Sequence, residues 1–574
     1  MARNPTSAER RQRLKSRALP LVGIAAVAFI MGFVQGCPGN PNRDAANRYA
    51  DAWEKGDFQS MYDELSTKSQ EAVPLDRFEA RYEEAEAMAT LEGLTADSAG
   101  GDETVAEVPM EARTRAFGLV DQPLEISFGS DGIAFTPSIL FPGLKGDEQL
   151  SRETKLPDRA AILADNGQSL AEGPSLAREH PLGDSMIDVT GTVDVPDDKS
   201  TITATEALGF SPGEPAGVSG LELAFNEQLA GTPGGTLWAV PAGSKEGTKG
   251  RVLGTGQPKA GKPVKTSIDP DIQDAAVASL AGRSGGAVAL DAKTGAVKAI
   301  AGQAYSVLQP PGSTMKMVTA TAALDTGKAK LTSQYPYATY GVADGREINN
   351  AYNEVCGGSL VDSFANSCNS VFAPLAMEIG EESFTKTAED YGFNKPPALY
   401  NAEGTAAVDP PTPVVPTPGN YNNELGVSGI GQGIVQATPL LMASVAQAIA
   451  NGGVVSPTPV AIDKKLQSDR KPLRVTSRKT ASQVAEMMVA VVTQGTGAAA
   501  AISEGQVAGK TGTAEVGPDD STPDPEDNLE DAWFAGFAPS DKPKLVVGVN
   551  VLNAPGDGGT IAAPIASSIL SAGL

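Results

Sequence analysis

Histidine is almost missing from this chain: one residue, His180, in 574. A serine hydrolase built on an imidazole base would need that residue in its site, and His180 lies in a polar stretch far from any nucleophile motif. The same scarcity, with only three cysteines, removes most zinc chemistry, because no histidine pair can be drawn. No metal and no cofactor is expected. Positive charge is short as well: 45 Lys and Arg against 70 Asp and Glu leave a net charge of -25. That excludes nucleic acid as a partner, since a phosphate backbone needs a basic footprint. The plain reading of the acidity is solubility. The length suits two to four domains at about 150 residues each.

What is present begins with an N-terminus of different material. Arg3, Arg10, Arg11, Arg13, Lys15 and Arg17 form a basic flank, and Leu19 to Val34 is apolar. This order puts the flank inside and the remaining chain outside the cytoplasmic membrane. The run ends at Val34-Gln35-Gly36-Cys37, which resembles a lipobox with an unusual Gln35. Residues 1–37 therefore read as a signal peptide whose Cys37 is lipidated, as an uncleaved membrane anchor, or as the leader of a secreted protein. The expected location is the extracytoplasmic face of the cell membrane. Cys356 and Cys368 are then left as a pair in an oxidising compartment. They read as a disulfide bracing the loop that presents Ser367 and Asn369, or as two buried thiols.

Residues 41–66 carry a helical pattern, with Ala46, Tyr49 and Trp53 before a break at Gly56-Asp57 and Phe58, Met61, Tyr62 and Leu65 after it. This stretch resembles the opening helices of small NTF2-like cones. Alternating segments such as Ala106 to Met110 and Leu124 to Phe128 supply strands to complete a cone over 41–148. Ile162 to Ala171 reads as two strands about an Asp165-Asn166-Gly167 turn, and Leu221, Phe225 and Leu229 share one face of a short helix. Residues 241–262, rich in Gly, Lys, Pro and Thr, read as a hinge. Beyond them come a strand over 264–268, a capped helix over 269–280, and strands over 286–290 and 296–301. A proline loop spans 409–419 and an acidic loop 519–531.

The chemistry lies in three short motifs. Ser-x-x-Lys occurs at Ser313, Ser383 and Ser468, Lys-Thr-Gly at Lys293 and Lys510, and Ser-x-Asn only at Ser367. Order selects among them: Ser313 with Lys316, then Ser367 with Asn369, then Lys510-Thr511-Gly512-Thr513. A lysine one helical turn from a serine can replace histidine as base, provided it is neutral, and burial beside Lys510 would lower its pKa. Ser313 is expected at a helix N-terminus, where the dipole favours developing negative charge. Ser367 and Asn369, two apart in an extended loop, would point the same way. Ser367 can relay a proton and Asn369 can hold a substrate amide. On the Lys510 strand, Gly512 leaves room for a substrate backbone, and Thr511 and Thr513 offer hydroxyls for a carboxylate.

With these residues in place, the chain resembles a class B penicillin-binding protein, a peptidoglycan D,D-transpeptidase. The resemblance extends to Ile162–Ala171 and to Gly220-Leu221-Glu222 through Gly235, which are similar to pedestal motifs. It includes Gly431-Gln432-Gly433 with Thr438-Pro439, and Ala532 to Pro539. It implies a multidomain α+β protein: an NTF2-like cone over 41–148, a β-rich pedestal or dimerisation domain over 150–255, and a penicillin-binding, serine β-lactamase-like transpeptidase domain over 263–574. It further implies Ser313 as the acylated residue, backbone amides of Ser313 and Thr513 as the oxyanion hole, and stem peptides and β-lactams as ligands. The cytoplasmic membrane and a wall-polymerase (glycosyltransferase) partner complete the implied setting. One departure is that only eleven residues, 302–312, separate the second strand from Ser313, so the rim near the nucleophile is expected to differ. A D,D-carboxypeptidase, a serine β-lactamase and a non-catalytic wall-assembly scaffold are the competing readings.

Overall fold

The computed structural model describes residues 40–102, 104–245, 247–399, 410–515 and 530–574. Cys37, the apolar run before it and most of the acidic loop lie outside these residues. Among the described residues no helix is long and apolar enough to cross a membrane.

The N-terminal unit packs helices Pro41–Glu54 and Leu75–Ala89 against the antiparallel strands Leu91–Ala96, Val105–Thr114 and Gly118–Ser127. Asn40 caps the first helix by accepting from the Asn42 amide at 3.0 Å. Gly56, at φ 66°, makes the expected break, and Asp57 caps the next short helix. Burial alternates along Val105–Thr114, so Ala106, Val108, Met110 and Ala112 face the helices. Inside, Trp53 and Tyr82 meet edge to face at 4.9 Å between ring centroids. The Tyr82 hydroxyl donates to the Ile139 carbonyl at 2.6 Å, so this buried polar tip is satisfied.

The hinge expected at 241–262 needs correction. Arg251–Gly256 is a strand, paired with Gly234–Val240, which also pairs with Gln149–Lys155. Leu237, Ala239 and Leu253 of this sheet join the core of the N-terminal unit. Glycine was the misleading residue. A Cβ at Gly254 would lie 2.8 Å from the Phe117 carbonyl oxygen, and one at Gly256 2.3 Å from that of Ala116. These glycines permit close backbone approach rather than flexibility.

The pedestal shares one core with the catalytic region: Ile162, Leu170, Leu221 and Phe225 belong to the same cluster as Val288, Met317 and Trp533. Its short strand Ile162–Leu163 pairs in parallel with Val264–Lys265, where 264–268 had been expected as one longer strand. The helix expected around Leu221 and Leu229 is broken at Phe225 into Gly220–Ala224 and Asn226–Ala230. Glu222 is buried between two arginines, at 2.6 Å from Arg159 and 2.7 Å from Arg178. Each carboxylate oxygen thus has a guanidinium partner, which offsets the cost of burying the charges. The Asp188 carboxylate accepts from the Gly302 amide at 2.9 Å, at the end of the strand that leads toward Ser313.

The catalytic region is built on an antiparallel sheet ordered Val297–Gly302, Gly285–Asp291, Leu545–Ala554, Glu530–Ala538, Ala508–Glu515. Helices Pro270–Leu280 and Ala563–Ala572 cover one face through Ile272, Ala276, Ile565 and Ile569. Helices Lys316–Asp325 and Pro439–Ala450 pack on the other. The strand carrying Lys510 is the last in this order, so one of its edges is unpaired within the sheet. That edge faces the nucleophile.

Candidate active site

Gly312 and Ser313 enter the site on a single turn of 3-10 helix, Gly312–Met315, which continues as helix Lys316–Asp325. The expected helix N-terminus is therefore a tighter turn. Gly312 adopts φ 52°, and a Cβ there would lie 3.0 Å from the Thr513 amide nitrogen. Only glycine lets the nucleophile turn approach the strand this closely. The turn is fixed from below by Gly312 N donating to the Gly431 carbonyl at 2.9 Å and by Thr314 Oγ1 donating to the Pro311 carbonyl at 2.6 Å. The short connection over 302–312 is braced midway, where Gln309 and Ala437 exchange backbone hydrogen bonds.

Lys316 is fully buried. Its Nζ lies 2.9 Å from Ser313 Oγ, 3.1 Å from Ser367 Oγ, 2.6 Å from the Ser367 carbonyl oxygen and 2.6 Å from Asn369 Oδ1. The two closest partners are carbonyl oxygens, which can only accept. A neutral amine has two N–H groups and one lone pair, so these oxygens consume both hydrogens. The lone pair is then left for a hydroxyl, and Ser313 is the nearer one. Burial, then the positive charge of Lys510, pushes the Lys316 pKa well below its usual value. Burial likewise lowers Lys510 to about 7. Their ammonium positions lie within cation–π range of an aromatic pair, Lys316 over Phe372 at 5.9 Å and Lys510 over Phe364 at 5.7 Å. Ring faces favour charge by only about 1–2 kcal/mol, so burial dominates.

Ser367 and Asn369 do not lie in an extended loop. Ser367 adopts φ 59°, and Asn369 is the first residue of helix Asn369–Ile379. The left-handed residue turns the chain so that both side chains still reach Lys316. Cys368 stands between them, its amide bonded to the Ser363 carbonyl at 2.9 Å and its sulfur joined to Cys356. The two Cα atoms are 5.5 Å apart. Asn369 is committed to the protein at both ends of its amide. Oδ1 takes the Lys316 hydrogen, and Nδ2 donates to the Asn349 carbonyl at 2.9 Å. Beside it, Asn350 accepts from Ser370 N at 2.8 Å and donates to the Ala338 and Glu354 carbonyls at 2.8 and 2.9 Å. Asn350 was not singled out in the sequence, where nothing but an Asn-Asn pair marks it.

On the strand Ala508–Glu515, Lys510 Nζ donates to the Thr511 carbonyl at 2.9 Å. The Thr511 hydroxyl is hydrogen-bonded to that of Thr496, a second residue that no motif marked. Thr513 Oγ1 accepts from Gly558 N at 3.3 Å. Gly512 needs a correction: a Cβ there would lie 2.8 Å from the Pro311 carbonyl oxygen and 3.1 Å from Thr314 Cγ2. Its missing side chain makes room for the nucleophile turn of the protein itself. The other motif matches lie apart from this site. Lys386, three residues after Ser383, is exposed and paired with Asp390 at 2.5 Å, Ser468 lies on a surface loop, and Lys293 is part of the Asp291–Gly295 turn. Among the described residues, no cluster of His, Cys, Asp and Glu could hold a metal ion.

Residues 285–571 match the penicillin binding protein transpeptidase domain, 168–266 the penicillin-binding protein dimerisation domain, and 41–148 the NTF2-like N-terminal transpeptidase domain. The chain is 31% identical to the peptidoglycan D,D-transpeptidase PbpA of Mycolicibacterium smegmatis over 58% of its own length and 78% of the relative. It is 29% identical to stage V sporulation protein D of Bacillus subtilis over 64% of its own length and 62% of that protein. Among solved structures, the D,D-transpeptidase domain of an Eggerthella lenta peptidoglycan glycosyltransferase aligns at TM-score 0.57 and 26% identity, covering 73% of this chain and 98% of that one. Penicillin-binding protein A of M. tuberculosis, solved as an acyl-enzyme complex, aligns at TM-score 0.56 and 26% identity with the same coverage.

Two outcomes follow. Lys510→Met removes a positive neighbour, which stabilises protonated Lys316 and raises its pKa. The rising limb of the acylation rate against pH should move to higher pH, and an unmoved limb in stopped-flow measurements would contradict the coupling. Reducing the Cys356–Cys368 bond, or replacing both residues by Ser, should slow acylation roughly ten-fold by loosening the loop that holds Lys316. Thermal unfolding should move by only a few degrees, since a bridge over a dozen residues is worth about 3 kcal/mol. Equal acylation rates with and without the bridge would exclude a role in the site.

Proposed function

Because the chain belongs to the penicillin-binding protein transpeptidases, we propose that Ser313 is the residue acylated in its reaction and that Lys316 is the base that activates it. The activity is peptidoglycan D,D-transpeptidation in cell-wall synthesis, carried out by a serine mechanism. The observation that supports these roles is the set of contacts around Lys316 Nζ, which leaves a lone pair directed at a hydroxyl 2.9 Å away.

In the first half-reaction Lys316 Nζ takes the Ser313 proton as Oγ bonds to the carbonyl carbon of the penultimate D-alanine of a stem peptide. The carbonyl electron pair moves onto oxygen, where the Ser313 and Thr513 amides would receive it. Such a donor is typically worth about 3–4 kcal/mol. Collapse of this intermediate breaks the peptide bond. The departing D-alanine nitrogen takes the proton from Lys316, with Ser367 as relay. In the second half-reaction the amine of a neighbouring stem peptide attacks the ester, gives its proton to Lys316, and releases Ser313 Oγ, which takes that proton back. Lys510 and the Thr511 and Thr513 hydroxyls would hold the terminal carboxylate. A β-lactam acylates Ser313 by the same attack, but its leaving nitrogen stays tethered by the opened ring. Asn369, with its oxygen on Lys316, acts first as a positioning residue for the base and presents only an N–H toward substrate.

We place the chain on the outer face of the cytoplasmic membrane, held through residues 1–37 by lipid on Cys37 or by the apolar run itself, beside a wall-polymerase (glycosyltransferase) partner. Family membership favours transfer to an amine over the hydrolysis that a carboxypeptidase or a β-lactamase performs.

Mass spectrometry of the protein isolated from membranes after benzylpenicillin treatment tests both proposals. The adduct is expected on the peptide containing Ser313, and Ser313→Ala should remain unlabelled. An adduct on Ser383 or Ser468 would overturn the assignment. The same spectra should show either a lipid on Cys37 with residues 1–36 removed, or an intact N-terminal segment.

A further inference from the structure

Of the fifteen large apolar side chains exposed among the described residues, five fall within residues 337–355. This segment is a flap. The strand Gln334–Ala338 pairs with Cys356–Ser359, and between them Tyr340–Ala343 pairs with Arg346–Asn349. Tyr340 and Val342, two apart, share the exposed face of their strand. Gly341 between them rests on helix Asn369–Ile379, where a Cβ would lie 2.4 Å from the Ser370 carbonyl oxygen. Tyr337, Tyr352 and Val355 are 70, 69 and 67% exposed. Apolar side chains gathered on one small element, rather than scattered singly, mark a contact surface.

The flap is tied to the catalytic residues. Asn349 accepts from Asn369 Nδ2 at 2.9 Å, Asn350 N donates to the Thr339 carbonyl at 2.8 Å, and Cys356 is joined to Cys368. Asn369 in turn bonds Lys316, so the flap starts one side chain away from the base. At its tip Tyr352 adopts φ 54°, a left-handed conformation that is costly for a bulky residue. Partial burial, then the carboxylates of Glu530, Asp557 and Glu354, push the Tyr352 phenol pKa up. Asp557 precedes Gly558, whose amide reaches Thr513. Tyr352 therefore stands on the cleft rim, between the Asn369 side and the Lys510 strand.

We propose that Tyr337, Tyr340 and Tyr352 form a saccharide-binding rim, a platform for the glycan strand from which the stem peptide hangs. The proposal rests on the reading of the chain as a peptidoglycan transpeptidase acting through Ser313. The cleft takes the end of the stem peptide, so the sugar chain lies outside it, along a rim. A pyranose ring has an apolar face of C–H groups and a polar edge of hydroxyls and acetamides. A tyrosine matches it with an apolar ring face and a polar tip. The glycan backbone is neutral, and the flap suits a neutral chain: its only charges over 337–355 are Arg346 against Asp344, Glu347 and Glu354. A protein partner seated there would cover the mouth of the cleft. A platform tied at three points already has its binding shape, so little order is lost on contact.

The test titrates the full chain with two probes, followed by ligand-observed NMR. One is chitotetraose, a neutral tetramer of β-1,4-linked N-acetylglucosamine. The other is an N-acetylated stem tripeptide ending in D-Ala-D-Ala, which has no sugar. Tyr352→Asn removes the ring but keeps a residue at ease with positive φ. Tyr337→Ser removes a second ring, and Leu176→Ser, at a side chain also 70% exposed but on the pedestal, is the control. The wild type should bind chitotetraose, and each tyrosine variant should weaken that binding about three- to ten-fold. Leu176→Ser, and tripeptide binding in every variant, should change by less than about two-fold. No chitotetraose binding by the wild type, no loss in either tyrosine variant, or an equal loss in Leu176→Ser would overturn the proposal. A loss confined to the tripeptide would make the flap a peptide site and overturn it as well. Wild-type protein that takes no benzylpenicillin on Ser313 would instead overturn the reading beneath it, whatever the saccharide result.

Discussion

The structure turns on one amine buried among oxygens. Lys316 Nζ has two carbonyl oxygens at 2.6 Å and two serine hydroxyls at 2.9 and 3.1 Å, and the lysine side chain itself has no water-exposed surface. An ammonium there would lose hydration that these partners replace only in part, and a second buried lysine repels it. A neutral amine fits, and its lone pair meets Ser313. Three chain segments far apart in sequence must converge to build this environment. The remaining architecture is the means of bringing them together.

Each segment is held by a different device. The nucleophile turn needs glycine at position 312, because its backbone rests on Thr513. The Ser367 loop needs a left-handed serine and is tied at Cys368 to Cys356 and at Asn369 to Asn349. The Lys510 strand is one edge of the five-stranded sheet, with Val297–Gly302 at the opposite edge. These constraints oppose stability. Both lysines have folded pKa values below the ordinary 10.5, so folding expels protons from them. Their cost vanishes above the unfolded pKa and grows as pH falls toward the folded values. The large apolar clusters on both faces of the sheet offset that cost.

Much of this was legible in the sequence, for identifiable reasons. A lysine three residues after a serine on a helix must share its face, and the order of the three motifs separated Ser313 from Ser383 and Ser468. Alternation over Val105–Thr114 marked a half-buried strand, and Gly56 marked a helix break. What was misread was glycine in two roles. At Gly254 and Gly256 it was taken for a hinge, and at Gly512 for substrate space; in each place it admits another part of the same chain. Local composition carries no sign of which distant backbone will approach. For the same reason Asn350 and Thr496 could not be weighed, since Ser370 and Thr511, which they hold, lie 20 and 15 residues away. The Ser367 turn was missed because a positive φ at serine has no sequence mark.

The most direct test is the protonation of Lys316 itself. The full chain, uniformly labelled on the lysine side chain with 13C and 15N, can be titrated by NMR, with Lys316→Arg identifying the resonance. A neutral amine that titrates well below 10.5, and shifts on acylation of Ser313, is the predicted result. A Lys316 resonance that remains ammonium up to the ordinary lysine range would contradict the account, because no base would then be available to the serine.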